Sequence, residues 1–217
     1  MNEKQIAFWK VINDLSEIGV LEHVAIIGSW AEYLYEFLYE GFISNLKTKD
    51  VDVFYRNIRK PDIKLDLISL LEERGFMPER DGFGVTRFLF GTGYELEFLV
   101  PQRGAGQTLP YKVEPLGIEA EGLRFTIIED EMIPVEVNNL RIYIPGPWAY
   151  VLHKLSINPN RKDKAHKDID SIRFILAYFG GNEEFQTNLR RCYRTLGKGS
   201  KTTIDKVCKS HYINLDI

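Results

Sequence analysis

Cysteine and histidine are scarce in this sequence, which has two cysteines and four histidines among 217 residues. Cys192 and Cys208 are too far apart for a CxxC metal motif, and they form no secreted disulfide framework. No apolar stretch is long enough to span a bilayer, and the N-terminal residues MNEKQIAFWKVINDL contain no apolar signal-peptide centre. We therefore expect a cytoplasmic protein with no membrane partner.

The sequence also lacks a large excess of either charge. Its formal net charge is −3, so the bulk charge does not indicate a nucleic-acid-binding protein. Hydrophobic residues make up 44% and charged residues 27%, which is typical of a globular protein. A chain of 217 residues is long enough for one domain, or for one domain with a helical extension.

Hydrophobic periodicity predicts an α/β arrangement in the first two thirds of the chain. Helices are expected at residues 3–18, from Trp30 to near Gly41 and from Pro61 to about Arg74, with Ser29 capping the second. The strands expected are HVAIIGS, DVDVFY, VTRFLF, YELEFLVP, LRFTII, IPVEVNN and LRIYIP. The turn GTG joins VTRFLF to YELEFLVP and predicts a hairpin.

The sequence changes character near residue 146, which we take as a domain boundary. PWAYVLHKLSI, KAHKDIDSIRFILAYF and EEFQTNLRRCYRTL are predicted helices, and a last helix is expected to begin around Thr202. The tail segments RRCYRTLGKGSK and DKVCKSHY are basic and contain tyrosines, so they could bind nucleic-acid phosphate. The acidic overall balance favours a solvated helical surface instead.

The motif IIGS, residues 26–29, places a Gly-Ser turn between a predicted strand and a predicted helix. Unpaired backbone N–H groups and the helix dipole attract phosphate at such a turn, and Ser29 adds a hydroxyl. The simpler interpretation is a tight turn with a serine cap. Taken alone, the motif favours that interpretation, because short glycine motifs match often by chance.

Two aspartates alternate along the predicted strand DVDVFY. Asp50 and Asp52 share one face, while Val51 and Val53 point to the other. Two carboxylates this close repel each other unless a cation lies between them, and oxygen pairs of this kind suit Mg²⁺ with substrate phosphates. A solvated strand face explains the pattern equally well.

A third acid comes from the strand YELEFLVP, which carries Glu95 and Glu97. Strand alternation places both on one face, so the spacing does not choose between them. Three carboxylates from two strands can hold two divalent ions about 3.5–4 Å apart, an arrangement that serves in-line phosphoryl displacement.

In this order, IIGS, TKDVDVFY and ELEFLVP resemble the nucleotidyltransferase fold of the DNA polymerase β type. The resemblance implies a mixed twisted sheet flanked by helices over residues 1–146, followed by a helical region over residues 147–217. It also implies that Asp50, Asp52 and Glu97 are catalytic and bind metal, and that Gly28 and Ser29 bind nucleotide. Glu97 matches the third acid better than Glu95, because EFLVP resembles the ending of that strand.

The C-terminal half resembles bacterial AbiEii toxins and their relatives in LRIYIPGPWAYVLHKL and RKDKAHKDIDSI. This resemblance makes Lys154 a triphosphate contact. Further phosphate or substrate contacts are expected among Thr48, Arg161, Lys164 and Asp168, with Lys167 and Asp170 nearby. The chain departs from the pattern in a long gap between Ser29 and Asp50, in Leu46 where relatives carry arginine, and in glutamate as the third acid.

The resemblance implies transfer of a nucleoside monophosphate from an NTP such as ATP to an acceptor hydroxyl, with Mg²⁺ or Mn²⁺ and release of pyrophosphate. The acceptor stays open among RNA, a protein and a small molecule, and the oligomeric state is open as well. The alternative is a catalytically silent module that binds nucleotide or a partner in a toxin–antitoxin or phage-defence system, because fold does not imply function.

Overall fold

A computed structural model describes residues 1–45, 48–56, 62–102, 109–124, 126–161 and 164–217. The chain folds as two compact units. The first comprises residues 1–124 and 134–144, and the second comprises residues 125–133 and 145–217. The class is mixed α/β, with seven α-helices in the described residues, and the prediction of that class is confirmed.

A mixed sheet forms the centre of the first unit. Its continuous strands are β1 (Val24–Ile26), β2 (Asp50–Tyr55), β3 (Met77–Arg80), β4 (Thr86–Phe90) and β5 (Tyr94–Pro101), in the order β1-β2-β5-β4-β3. β6 (Tyr111–Val113) pairs with β7 (Ile118–Leu123), and β7 runs parallel to the end of β5. β2 and β5 are parallel neighbours, whereas β4 and β5 form the antiparallel hairpin that the GTG turn predicts.

The alternation along β2 and β5 separates a buried face from a polar one. Val51, Val53, Leu96 and Phe98 are fully buried. Since successive strand residues point to opposite faces, the acidic residues between them share the other face. The hydrophobic core therefore fixes which side of the sheet carries the carboxylates.

The helices of the first unit are α1 (Glu3–Glu17), α2 (Gly28–Leu34) and α3 (Leu67–Glu72). The predicted cap was wrong, because α2 begins at Gly28 and its N-cap is Ile27, so Ser29 is a helical residue. α2 passes into a short 3-10 segment that ends at Phe37, before the predicted end. Pro61 lies outside the described residues, and α3 begins later than predicted because Asp66 caps it by accepting from the N–H of Ser69.

Two further strands lie between β7 and the first helix of the second unit along the chain. β8 (Met132–Val137) and β9 (Leu140–Pro145) form a two-stranded sheet, as the segments IPVEVNN and LRIYIP predict. LRFTII was wrongly predicted as a strand. Leu123 ends β7 and residues 126–128 form a 3-10 turn, while residue 125 lies outside the described residues.

The second unit is helical. Its helices are α4 (Pro147–Ile157), α5 (Ala165–Phe179), α6 (Glu183–Thr195) and α7 (Lys198–Ser210), and α4 contacts the other three. Asn182 caps α6 as predicted, by accepting from the N–H of Phe185, whereas α7 begins at Lys198 rather than around Thr202. In the described parts of the chain, no helix combines the length and apolarity that a membrane crossing requires.

Candidate active site

The parallel pairing of β2 with β5 brings the predicted acids together. Asp50 lies opposite Glu95 and Asp52 lies opposite Glu97 in the register. Residues directly opposite each other on neighbouring strands point to the same face, with Cβ atoms about 5 Å apart. Four carboxylates from two strands therefore occupy one polar face of the sheet.

The Gly-Ser turn lies against Asp52. The backbone N–H of Ile27 donates to the carbonyl oxygen of Asp52 at 3.0 Å, which ties the end of β1 to β2. Gly28 has φ +65°, and a Cβ built on it would lie 2.8 Å from Oδ2 of Asp52. A glycine is needed here for both reasons, because a side chain would be strained and would collide with the carboxylate.

The carboxyl of Glu97 is perturbed by its surroundings on this face. Burial raises its pKa from 4.5 to about 7, the charges of Asp52, Glu121 and Glu95 add to the increase, and Arg87 opposes it. Among the described residues, the buried Oε1 atom of Glu97 has no hydrogen-bond partner. A carboxylate in this state is ready to accept a proton or to bind a cation.

Sequence reasoning missed Arg87, which lies on β4 opposite Glu97. Its Nη1 donates to Oε1 of Glu95 at 2.9 Å and its Nη2 donates to Oδ2 of Asp81 at 3.2 Å. The signal was available in the predicted hairpin. A three-residue turn that pairs Phe90 with Tyr94 also pairs residue 87 with residue 97.

The other predicted contacts of the first unit have simpler local roles. Thr48 accepts a hydrogen bond from the backbone N–H of Asp50 at 3.1 Å, and so fixes the start of β2. Ser29 is half-buried in the first turn of α2, one residue after the glycine that faces Asp52. Leu46 lies outside the described residues.

The remaining predicted residues lie in the second unit, where three of them form a cluster. Nζ of Lys154 contacts Oδ1 of Asp168 at 2.7 Å, and Nε of Arg161 contacts Oδ2 of the same carboxylate at 3.1 Å. The side chain of Asp168 is only 2% exposed and that of Lys154 only 11%, so Lys154 is a buried ion-pair partner and not a surface lysine. Lys164, Lys167 and Asp170 are exposed.

The chemistry of the first-unit face fits a hard divalent cation. The available donors are carboxylate oxygens, the ligands that Mg²⁺ and Mn²⁺ prefer, and one buried carboxylate oxygen of Glu97 lacks a hydrogen-bond partner among the described residues. Within those same residues, no three Asp, Glu, His or Cys side chains stand close enough together to hold a metal ion. The site therefore fits the cation in the kind of donor atoms it offers and in the face they share, and not in the distances between the side chains.

A strand with two alternating aspartates, a parallel neighbour with a third acid and a glycine turn beside them form the arrangement that the resemblance to nucleotidyltransferases predicts. A family model described as nucleotidyltransferase matches residues 7–197. The chain belongs to this family of transferases, whose general chemistry is the transfer of a nucleoside monophosphate. A search of curated proteins found no match to the sequence.

Solved structures also resemble the chain. An antigenic nucleotidyltransferase-like protein from Paracoccidioides brasiliensis is 17% identical, with coverage of 97% and 96% of the two chains and a TM-score of 0.48. The antibiotic-resistance factor ANT(2″)-Ia in solution is 16% identical, with coverage of 97% and 100% and a TM-score of 0.49. ANT(2″)-Ia in complex with adenylyl-2″-tobramycin is 14% identical, with coverage of 90% and 98% and a TM-score of 0.50. That last likeness supports the fold alone.

Proposed function

We propose that the polar face of β2 and β5 catalyses metal-dependent transfer of a nucleoside monophosphate from an NTP to an acceptor hydroxyl. The observation that carries the proposal is the register, in which Asp52 lies opposite Glu97 while Asp50 lies two residues earlier on the same face. The Gly28 turn approaches this face at Asp52. No feature of an ordinary protein core requires these acids and this glycine together.

Asp50, Asp52 and Glu97 are the proposed metal ligands. Bound Mg²⁺ or Mn²⁺ would supply charge stabilisation for the NTP phosphates and for the reacting oxygens. The residues of the chain position the reactants, and their carboxylates direct charge to the point where the transition state needs it. Catalysis in this arrangement is mostly positioning and electrostatics.

The proposed reaction is balanced without any further reactant. The acceptor oxygen forms a bond to the α-phosphorus of the NTP. The bond from that phosphorus to the oxygen that bridges the α- and β-phosphorus atoms breaks, and pyrophosphate leaves with the bonding electron pair. Glu97 takes the proton of the acceptor hydroxyl. Its buried Oε1 atom has no hydrogen-bond partner among the described residues, which leaves the carboxylate able to accept this proton.

The proposed nucleotide contacts come from both units of the chain's sequence. We assign the triphosphate to the Gly28-Ser29 turn, whose backbone is held to β2 through Ile27. The resemblance also assigns contacts to Lys154, Thr48, Arg161, Lys164 and Asp168. For Lys154 and Arg161 this role competes with their ion pairs to Asp168.

The remaining parts of the proposal rest on the sequence. They are a cytoplasmic location, a nucleotidyltransferase domain over residues 1–146 with a helical region over residues 147–217, and a bacterial AbiEii-like subfamily with a toxin–antitoxin context. The acceptor is an RNA end, a protein hydroxyl or a small molecule. The test below identifies which of the three it is.

The experiment is incubation of the protein with each of the four NTPs, labelled at the α-phosphate, together with Mn²⁺ or Mg²⁺ and cell extract. Transfer of label to an acceptor, with release of pyrophosphate, is the expected result. Asp52→Asn is the inactive control, and Glu72→Gln, which removes an equal charge from an exposed position of α3, is the matched control that stays active. Metal-dependent NTP binding without any transfer would favour the silent module.

A further inference from the structure

Arg87 occupies a central place among the acids of the polar face. It lies on β4 opposite Glu97 of β5 on one side and opposite Glu79 of β3 on the other. Its strand neighbours Thr86 and Phe88 are buried, so the guanidinium points to the face that carries the carboxylates. Its side chain is 32% exposed.

The guanidinium donates hydrogen bonds to two carboxylates and forms only a longer ion pair with the third. It donates to Glu95 at 2.9 Å and to Asp81 at 3.2 Å, whereas Nη2 lies 3.8 Å from Oε1 of Glu97, beyond hydrogen-bond distance. Asp81 is fixed in turn, because its Oδ1 accepts from the backbone N–H groups of Phe83 at 2.8 Å and Val85 at 3.0 Å. The arginine is therefore anchored at a set distance from Glu97.

This anchoring makes two otherwise similar glutamates different. Glu95 and Glu97 lie on one face of one strand, and alternation treats them alike. The carboxylate of Glu95 is engaged in a charged hydrogen bond with Arg87, while Oε1 of Glu97 is buried without a hydrogen-bond partner among the described residues. Charged hydrogen bonds of this kind are strong, so Glu95 is a costly group to detach.

We propose that Glu95 is a positioning residue that, together with Asp81, holds the guanidinium of Arg87 away from Glu97 and thereby leaves Glu97 able to bind the divalent cation. This inference rests on the proposed function of the same face. Without Glu95, the guanidinium has one hydrogen-bond partner fewer, and Glu97, whose Oε1 already lies 3.8 Å from Nη2, is within reach as a replacement. An arginine bonded to Glu97 competes directly with a cation for that oxygen.

The test is a double-mutant cycle read by Mn²⁺ binding without nucleotide or acceptor, with each variant first checked for folding by circular dichroism. Glu95→Gln in the otherwise unchanged protein should weaken Mn²⁺ binding about tenfold, because Arg87 then turns to Glu97. In the Arg87→Met background the same Glu95→Gln change should alter the affinity by less than about twofold. The two effects then differ by about five- to tenfold, which is equivalent to a coupling free energy of about 1.0–1.4 kcal/mol.

A second background keeps the test decisive if Arg87→Met does not fold. Arg87→Gln removes the charge and retains hydrogen-bonding groups, and the same loss of the Glu95→Gln effect is expected there. Equal or larger effects of Glu95→Gln in the arginine-free backgrounds would overturn the proposal, since Glu95 would then act on the cation by itself. No effect of Glu95→Gln in any background would overturn it as well.

A further variant distinguishes failure of this inference from failure of the proposed function. Asp52→Asn is measured in the same assay. If Asp52→Asn removes Mn²⁺ binding while the cycle is additive, only the role of Glu95 and Arg87 is wrong. If the wild-type protein binds no Mn²⁺, or if Asp52→Asn leaves binding unchanged, the metal site and the inference are both overturned.

Discussion

The Cα atom of Gly28 faces the carboxylate of Asp52 so closely that a Cβ on it would lie 2.8 Å from Oδ2. The contact joins the first turn of α2 to strand β2, and it is reinforced by the hydrogen bond from the backbone N–H of Ile27 to the backbone carbonyl of Asp52. The orientation of a proposed metal ligand therefore depends on the absence of a side chain at a residue 24 positions earlier.

Gly28→Ala should reduce turnover at least tenfold, because the new methyl group displaces the Asp52 carboxylate. It should also lower the free energy of unfolding by about 1–2 kcal/mol, the cost of a left-handed backbone for a residue with a side chain. Gly19→Ala is the matched control, since Gly19 has φ +76° and nothing within 4 Å of the added Cβ. The control should lose similar stability and keep full activity, as urea unfolding and the label-transfer assay would show.

Asp52→Asn should remove tight Mn²⁺ binding and leave the fold intact. Since neighbouring carboxylates repel each other when no cation is present, the variant should be at least as stable as the wild type in EDTA. Mn²⁺ titration followed by electron paramagnetic resonance, together with urea unfolding, measures both effects. Wild-type Mn²⁺ affinity in this variant would rule out a metal site that includes the aspartate.

Glu97→Gln should abolish turnover, whereas Glu95→Gln should retain measurable turnover. The first change removes the proposed base and metal ligand, and the second acts only through the guanidinium of Arg87. Steady-state release of pyrophosphate from the preferred NTP compares the two variants. The opposite result would show that the two glutamates have exchanged roles and that the assignment is wrong by two positions on β5.

The stability of the metal-free protein should depend on the ionisation of Glu97. Folding raises the pKa of this carboxyl from 4.5 to about 7, so the folded state binds the proton more tightly than the unfolded state does. The free energy of unfolding must therefore decrease as the pH rises through this window, by a contribution on the order of 3 kcal/mol.

Urea unfolding in EDTA at pH 5 and pH 8 measures this contribution. Glutamine in Glu97→Gln imitates the protonated acid at both pH values, so the variant should gain stability relative to the wild type between pH 5 and pH 8. Subtracting the free energies of unfolding of the two proteins at each pH removes the contributions of groups that titrate elsewhere in the chain. A difference that is the same at both pH values would show that the Glu97 carboxyl titrates normally.

Lys154→Ala tests whether the lysine serves the nucleotide, the fold or both. Loss of an NTP contact should weaken binding of a non-hydrolysable NTP by about 1.5–3 kcal/mol. The free energy of unfolding should fall by about 1–3 kcal/mol, because Asp168 is buried and loses its closer ion-pair partner, at 2.7 Å, while Arg161 at 3.1 Å remains. Calorimetric titration and urea unfolding separate the two effects.

Lys206→Ala, which removes an exposed lysine from α7, is the control for the change in charge. It should change neither the NTP affinity nor the free energy of unfolding, since surface charges contribute little to stability. Wild-type NTP affinity in Lys154→Ala, combined with a loss of stability, would make Lys154 a purely structural residue.

The strongly patterned elements were predictable from sequence, and the weakly patterned ones were not. DVDVFY and YELEFLVP match β2 and β5 residue for residue, because their side chains alternate, and PWAYVLHKLSI matches α4, whose start is marked by a proline at the first helical position. β3 was missed, since three of its four residues are exposed and nothing in MPER alternates. The run LRFTII suggested a strand through its β-branched residues, yet residues 126–128 form a 3-10 turn.

The sequence predicted which acidic residues share a face of the sheet, but it did not predict the ion pairs and contacts that these residues form. Spacing placed Asp50 and Asp52 on one face of a strand, which the register confirms. The distinction between Glu95 and Glu97 depends on an arginine from a third strand, and the contact of Gly28 with Asp52 depends on how two elements pack. Interactions of this kind arise from tertiary structure, to which local periodicity is insensitive.

Core and carboxylates alternate residue by residue along β2 and β5, so the same register specifies both. If β5 slipped by one position against its neighbours, Glu95 and Glu97 would turn into the apolar layer, and Leu96 and Phe98 would turn into water. Burying two unpaired carboxylates is prohibitively expensive. Slips by an odd number of residues are therefore excluded by the acids themselves, and a sheet that forms with its apolar face buried carries its carboxylates together on the other face.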